Sequence, residues 1–519
     1  MPSTSIGGIS KAAHWALFAG TILLGACATV DFDHPKLETR ALNGTSDTYL
    51  AKGIGPLVAQ HPGRSGFYLQ SDGIDALAAR FVMAHRAEES IDAQYYLITG
   101  DMAGYLFIGS LLQAADRGVR VRLLLDDIQT QGYDAGMAAL DSHPNFEVRI
   151  FNPWATRSFR VADLFQFNRI NRRMHNKSFT ADNQITIIGG RNIADEYFGA
   201  NKVVNFGDVD VLSIGPVVQE VSTMFDSYWN SRYAAPVAAF AKMPDDPAVA
   251  LEQLRARIDE ILAEARQSQY GEAVTADINR YLDTGGDLFT WAPYTLAYDS
   301  PDKADSKLAK GAENITTALA EVVAGANEEL IVISPYFVPR KSGVEYFQSL
   351  IDRGLRVTVI TNSLAANNHG IVHSGYMGSR KALLRMGVEL YEVKVTAMPK
   401  GIERGGSGAS LATLHTKAFL VDRKHLFVGS FNWDPRSVDI NTELGVVIES
   451  KEMSETTGKL LDESLPDKTY QVVLDENGRL RWIDDSGEES VILTKEPDTT
   501  WWRRVKANLG RLLPIRGQL

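Results

Sequence analysis

Along this chain, two kinds of apolar run alternate. Ile74, Leu77 and Phe81 are spaced for one face of a helix, and an extended run from Ile91 to Ile98 follows. A second helix-length stretch ends at Asp116-Arg117-Gly118, and a strand pattern, Val119 to Leu125, comes after it. The same succession returns later as Ile315, Leu319 and Val322, then Leu330 to Val338, Asp352-Arg353-Gly354, and Leu355 to Ile360. Asn145-Phe146-Glu147-Val148 likewise has a counterpart in Gly387-Val388-Glu389-Leu390. The Asp-Arg-Gly turns lie 236 residues apart and the last pair 242. So nearly constant an offset marks one domain used twice, not a short-period solenoid. Strands alternating with helices of this length predict an α/β layered fold. Two such halves packed about a pseudo-twofold axis would share one cleft.

Within this duplication sits an unusual polar pattern. His175-Asn176-Lys177 with Asp182, and His415-Thr416-Lys417 with Asp422, both read H-x-K-x4-D, 240 residues apart. Each runs on to a Gly-rich element ending in Asn: Gly189-Gly190-Arg191-Asn192 and Gly429-Ser430-Phe431-Asn432. His and Lys at i and i+2 project from one face of a strand. An imidazole beside a fixed ammonium suits attack on a phosphate diester, where the ammonium and the Asn amide neutralise charge growing on the phosphate oxygens. Asp182 and Asp422 fall at the turn after each strand, where an acid serves turn hydrogen bonds.

The paired boxes resemble the phospholipase D superfamily, whose members build one active site from two such motifs. Runs such as Arg172-Arg173-Met174-His175, Leu364-Ala365-Ala366-Asn367-Asn368 and Asn432-Trp433-Asp434-Pro435-Arg436-Ser437 are most similar to the bacterial cardiolipin synthase C branch. That resemblance implies transfer of a phosphatidyl group to phosphatidylglycerol through a phosphohistidine on His175. It also implies that His415 is the general acid and base, that Lys177, Lys417, Asn192 and Asn432 hold the phosphate, and that Asp208 and Glu443 each orient the histidine of the opposite box. Gly190 stands where the second half has Ser430, so a hydroxyl contact to phosphate is expected in one half only. No cofactor and no metal are implied. His369 and His373 are the one i, i+4 pair, and they read as cleft lining or helix surface.

The first residues set an expected location. Lys11 precedes an apolar stretch, Ala12 to Leu24, that is too short to span a bilayer and right for a signal peptide. Leu24-Gly25-Ala26-Cys27 resembles the bacterial lipobox, which makes Cys27 the lipidated N-terminus, with the body facing the periplasm. Ala28, rather than Asp, after that cysteine goes with export to the outer membrane. Removing residues 1–26 takes away Lys11 and no acid, moving the formal charge from −11 to −12. So acidic a chain argues against nucleic acid, whose backbone is held by clustered Lys and Arg.

Leu251, Leu254, Ile258 and Leu262 predict a helical insertion between the halves. Past the second half, short strands around Asn477-Gly478 predict a hairpin. The end of the chain then becomes basic and aromatic: Trp501, Trp502, Leu509, Leu512 and Leu513 alternate with Arg503, Arg504, Lys506, Arg511 and Arg516. That is the profile of a helix lying in a membrane surface of anionic lipid. The expected division is a leader, 1–26; a linker, 27–60; a first half, 61–240; a helical insertion, 241–290; a second half, 291–465; and a C-terminal β extension with an amphipathic tail, 466–519. Hydrolysis of phospholipid headgroups is the alternative chemistry, and a nuclease of the same fold is the more distant one. The donor headgroup, with phosphatidylethanolamine a candidate beside phosphatidylglycerol, is left open.

Overall fold

The computed structural model describes residues 30–157, 160, 163, 166–201, 204–266, 271–272, 288–367, 370–395 and 411–511. The leader, Cys27, His369 and the final residues, with Leu512, Leu513 and Arg516, lie outside them.

The first half runs α1 (Tyr49–Ala59), β1 (Ser65–Gln70), α2 (Gly73–Arg86), β2 (Ser90–Tyr95), α3 (Met102–Asp116), β3 (Arg120–Asp126), α4 (Asp134–Asp141), β4 (Phe146–Phe151), β5 (Ser178–Ala181), β6 (Ile185–Gly189), β7 (Val204–Gly207), β8 (Asp210–Ile214), α5 (Pro216–Trp229) and β9 (Ala234–Pro236). After α6 (Pro247–Arg266) and β10 (Thr290–Ala292), the second half runs β11 (Tyr294–Tyr298), α7 (Ile315–Ala324), β12 (Glu329–Ile333), α8 (Arg340–Asp352), β13 (Arg356–Asn362), α9 (Gly370–Met377), α10 (Arg380–Met386), β14 (Glu389–Val393), β15 (Leu411–Leu414), β16 (Ala418–Val421), β17 (His425–Gly429), β18 (Leu444–Glu449), α11 (Lys451–Lys468) and β19 (Thr469–Leu474). β20 (Leu480–Asp484), β21 (Val491–Leu493) and α12 (Trp501–Gly510) follow.

The duplication read from the sequence is the architecture. One sheet is ordered β10-β1-β8-β6-β5-β2-β3-β4-β9, and the other β11-β18-β17-β16-β12-β13-β14-β19-β20-β21. The run β1-β8-β6-β5-β2-β3-β4-β9 of the first sheet is matched strand for strand by β11-β18-β17-β16-β12-β13-β14-β19 of the second, with β2-β3-β4 and β12-β13-β14 the parallel cores. The repeated Asp-Arg-Gly is a helix stop. Gly118 and Gly354 take φ of 99° and 90°, a left-handed conformation that favours glycine after a helix end. Arg117 and Arg353 meanwhile donate to carbonyls near the end of the helix before, Ala84 O and Ala324 O.

The halves share an apolar core rather than touching at a polar seam. Phe67, Leu124, Val211 and Phe225 from the first pack in one cluster with Ile331, Ile360, Leu420 and Val446 from the second. Burying that face fixes the two sheets against each other and so fixes any site between them.

Three boundaries differ from the sequence reading. The stretch taken as a linker, 27–60, is bound to the first half along residues 36–42 and is helical from Tyr49, with Leu50 and Ile54 in the core. The division at 290/291 falls inside β10, which pairs with β1 of the first half. The β extension after 465 adds strands to the second sheet through the pairing of β14 with β19. The insertion helix α6 lies on the first half, where Gly109 of α3 lets Ile258 approach to 2.8 Å of the point a Cβ would occupy.

Candidate active site

Each box lies in the extended stretch just before a strand, with β5 beginning at Ser178 and β16 at Ala418. What holds these stretches comes from the other half. β15 pairs in parallel with β7, and His415 N donates to Gly207 O at 2.7 Å. On the other side Met174 bridges Thr442, and His175 N donates to Thr442 O at 2.9 Å. Asp208 is the residue after Gly207, and Glu443 the residue after Thr442. The backbone exchange therefore carries each acid to the opposite histidine. His175 Nδ1 lies 2.8 Å from Glu443 Oε2, and His415 Nδ1 lies 2.5 Å from Asp208 Oδ2.

All six groups are buried, and burial sets their charges. It pushes the His175 and His415 imidazoles down, to about 4 and about 3, further than the neighbouring acids raise them. Burial lowers Lys417 to about 8 and Lys177 well below the ordinary lysine range. The same burial would raise both acids, but His175 and Lys177 hold Glu443 below its usual range, and His415 and Lys417 do so for Asp208. Without substrate the cleft thus holds two neutral imidazoles, each with one nitrogen fixed by a carboxylate. Lys177 donates to His175 O at 2.5 Å, and Lys417 Nζ stands 3.1 Å from His415 Nε2.

Asn192 Nδ2 donates to Tyr197 OH at 2.8 Å, and Asn192 Oδ1 and Asn432 Oδ1 are buried without a partner. A half-turn of the Asn192 amide keeps the Tyr197 bond with roles reversed and presents an NH2 where the orphan oxygen stands. A buried, orphaned amide end in each half fits an anion-binding pocket.

Ser430 is placed differently from the sequence expectation. Its hydroxyl is engaged, donating to Glu443 Oε2 at 2.5 Å and accepting from Leu444 N at 3.0 Å, so it supports the acid. Asp182 takes the backbone N–H of Glu88, Glu89 and Ser90, and Asp422 those of Asn327, Glu328 and Glu329. Both acids sit at hairpin turns with positive φ and tie a strand start to the turn. His373 is 1% exposed and bonds Arg380 at 2.5 Å, so it belongs to the core of the second half, neither cleft nor helix surface.

A family model for the PLD-like domain of cardiolipin synthase matches residues 82–229 and again residues 319–464. The chain belongs to the phospholipase D-like cardiolipin synthase family. Cardiolipin synthase C of Escherichia coli (strain K12) is 42% identical over 469 residues, covering 90% of this chain and 98% of that one. An uncharacterized protein of Helicobacter pylori (strain ATCC 700392 / 26695) is 32% identical over 474 residues, with 89% and 92% covered. Among solved structures, phosphatidylserine synthase from Haemophilus influenzae Rd KW20 superposes with a TM-score of 0.52 over 83% of this chain and 92% of that one, at 10% identity, a likeness of fold.

The enzyme's site also contains residues that spacing did not reveal. Tyr96 meets His175 edge-on at 4.9 Å, while Tyr197 and Phe206 enclose His415 at 5.1 and 5.2 Å. Ser437 donates to Glu443 Oε1 at 2.7 Å, and Asp299, itself paired with buried Lys303, accepts from Glu443 N at 2.9 Å. Ser437 lies within the Asn432–Ser437 run that carries the family resemblance. The aromatic residues have no such signature, because single rings at strand ends and in loops are common in any α/β core.

Proposed function

We propose that the enzyme makes cardiolipin by moving a phosphatidyl group through a histidine to the glycerol hydroxyl of phosphatidylglycerol. The observation that carries this reading is the pair of histidine–acid contacts made across the halves, with each lysine hydrogen-bonded to the histidine of its own box. His175 Nε2 attacks phosphorus as the bond to the donor's headgroup oxygen breaks, and His415, protonated from solvent when the phosphate anion draws Lys417 away, gives that oxygen its proton. His415, now neutral, takes the proton of the acceptor hydroxyl. The resulting alkoxide displaces His175 from phosphorus, and the P–N bond breaks. Lys177, Lys417 and the Asn192 and Asn432 amides hold the non-bridging oxygens where negative charge grows.

The roles of the two histidines are those that the family resemblance implies, and their acids are held differently. Glu443 accepts from Ser430 and Ser437 besides His175, whereas Asp208 accepts from Val209 N at 2.9 Å besides His415. Both imidazoles rest neutral, so His175 is ready as the nucleophile, and His415 takes up its proton when the substrate anion draws Lys417 away.

The substrates are two-chain lipids, so the reaction belongs at a membrane surface. No described helix is long and apolar enough to cross a bilayer. A lipid on Cys27 and the basic aromatic helix at the other end of the chain would hold the body on the periplasmic face of the envelope. The test is to incubate purified protein with labelled phosphatidylglycerol, with and without phosphatidylethanolamine, and identify the products. Cardiolipin with release of glycerol or ethanolamine is expected. Phosphatidic acid as the sole product would replace transfer by hydrolysis.

A further inference from the structure

The terminal helix α12 is held to the body by one face and exposed on the other. Its base is pinned by Arg380, which donates to Glu496 Oε1 at 2.6 Å inside the core, and by Tyr470 OH, 2.8 Å from Asp498 Oδ2. Thr500 caps its first turn. Ala507 and Gly510 face α9 so closely that a Cβ on Gly510 would come within 2.9 Å of Ser374 Oγ. Arg503 reaches sideways. Its Nε donates to Leu364 O at 3.0 Å, and its Nη2 to Ala365 O at 3.1 Å and Asn367 O at 2.7 Å.

That turn leads to the site. It follows β13, and Asn362 at the end of β13 holds Leu414 by both backbone groups: Asn362 Nδ2 donates to Leu414 O at 2.9 Å, and Leu414 N to Asn362 Oδ1 at 3.0 Å. Leu414 is the residue before His415. A path therefore runs from Arg503 by hydrogen bonds to the turn, along the backbone to Asn362, and by that residue's two bonds to Leu414, the neighbour of His415.

The outer face of the helix is apolar and cationic. Trp501, Trp502 and Leu509 are 59%, 66% and 58% exposed, and Ile371 of α9, beside Gly510, adds 40%. Basic Arg504 and Lys506 lie between them, and no acid occurs from Trp501 to Gly510. Exposed tryptophans flanked by cations match the interface of an anionic bilayer, where the rings lie at headgroup depth and the cations meet lipid phosphates.

We propose that Arg503 is a positioning residue, coupling the seating of α12 on an anionic bilayer to the placement of His415. This rests on the transferase reading above and adds a regulatory step to it. A bilayer that takes up the Trp501–Trp502 face fixes the helix. The guanidinium fork passes that constraint to the turn at 364–367 and so to His415. Lipid dispersed as single molecules adds no such constraint to the helix, and the enzyme is slower on it.

The experiment uses the full chain and reads headgroup release, so that water and lipid acceptors count alike. Phosphatidylglycerol is given as vesicles or as a short-chain form below its micelle concentration. Wild type should show a kcat about tenfold higher on vesicles, in the range of ordinary coupling between two sites. Arg503→Ala should still bind vesicles, by tryptophan fluorescence and co-sedimentation, with an unchanged KM. Its kcat on vesicles should fall to the dispersed-lipid value, and Arg503→Lys should lie between. The Trp501→Ser/Trp502→Ser chain should show the opposite split, a raised KM for vesicles with kcat retained at saturation. Equal slowing of Arg503→Ala on both lipid forms, unaltered kinetics in that variant, or a wild type indifferent to vesicles would each overturn the coupling. A wild type that releases headgroup without making cardiolipin overturns the transferase reading instead, and the same ratios still decide the coupling.

Discussion

At the scale of single residues, Gly190 and Asp208 stand in one half where Ser430 and Glu443 stand in the other, and the two differences compensate. A Cβ on Gly190 would lie 2.2 Å from Asp208 Oδ1, so the shorter acid occupies the space that the Ser430 side chain takes beside Glu443. Gly190→Ser alone should displace Asp208 and cut kcat by about a hundredfold, the cost of an ångström's misplacement at a site. Adding Asp208→Glu should recover part of that loss, and a double variant no better than the single one would refute the compensation. The protonation of His415 gives a second test. Burial and Lys417 keep its imidazole neutral at pH 7, and a phosphodiester anion that draws the ammonium away should return the proton. Short-chain phosphatidylglycerol binding to the His175→Ala chain should then take up about one proton at pH 7, read by calorimetry in buffers of different ionisation enthalpy. Binding should weaken as pH rises past about 8, where Lys417 loses its charge. Absence of uptake would remove His415 as the proton carrier. The histidines, lysines, asparagines and the Gly190/Ser430 pair were legible in the sequence because they recur at fixed spacing, whereas Asp208 and Glu443 were implied by the family resemblance. Tyr96, Tyr197 and Phe206 were not, because a lone ring carries no period.

At the scale of elements, the helices and strands were legible because each buries one face and so repeats its apolar positions. The segment Lys36–Leu42 has no such period, and its role is polar. Arg122 Nη1 donates to Thr39 O at 2.9 Å and Arg149 Nη2 to Leu37 O at 2.6 Å, while Ala41 N donates to Asp226 Oδ2 at 2.9 Å. An extended strap thus fills the groove between the first sheet and α5. In the second half the positions of Arg122 and Arg149 hold Thr358 and Tyr391, and the matching groove beside α11 is open, with a volume of about 350 Å³. Lys394 there takes the place of Lys36, donating to Pro466 O and Asp467 O as Lys36 does to Ser231 O and Ala234 O. A chain beginning at residue 43 should leave two buried guanidiniums without those acceptors. At roughly 1.5–3 kcal/mol for each charged hydrogen bond, stability should fall by about 3–6 kcal/mol, measured by urea unfolding. An unchanged midpoint would mean that solvent replaces the strap at no cost.

At the scale of the whole molecule, the duplication predicted two halves around one cleft, but not the means by which they exchange acids. A parallel pair such as β7 with β15 joins positions about two hundred residues apart, and nothing local in either strand encodes its partner. The consequence is that Glu443, in the second half and 28 residues beyond His415, acts on His175. Asp208, in the first half, acts on His415. A leaving group that needs no proton separates the two effects. With a phosphatidyl ester of p-nitrophenol, His415→Ala and Asp208→Asn should release nitrophenolate in a burst at close to the wild-type rate, because formation of the phosphohistidine no longer needs an acid. His175→Ala should give no burst. Glu443→Gln should give one slowed by about a hundredfold or more, because its nucleophile is left in the wrong tautomer or orientation. Turnover after the burst should be slow in the Asp208 and His415 variants, where the acceptor hydroxyl lacks its base. If the defects sort by half instead, with Asp208→Asn suppressing the burst and Glu443→Gln sparing it, then each acid serves its own box and the crossed pairing is not the working arrangement.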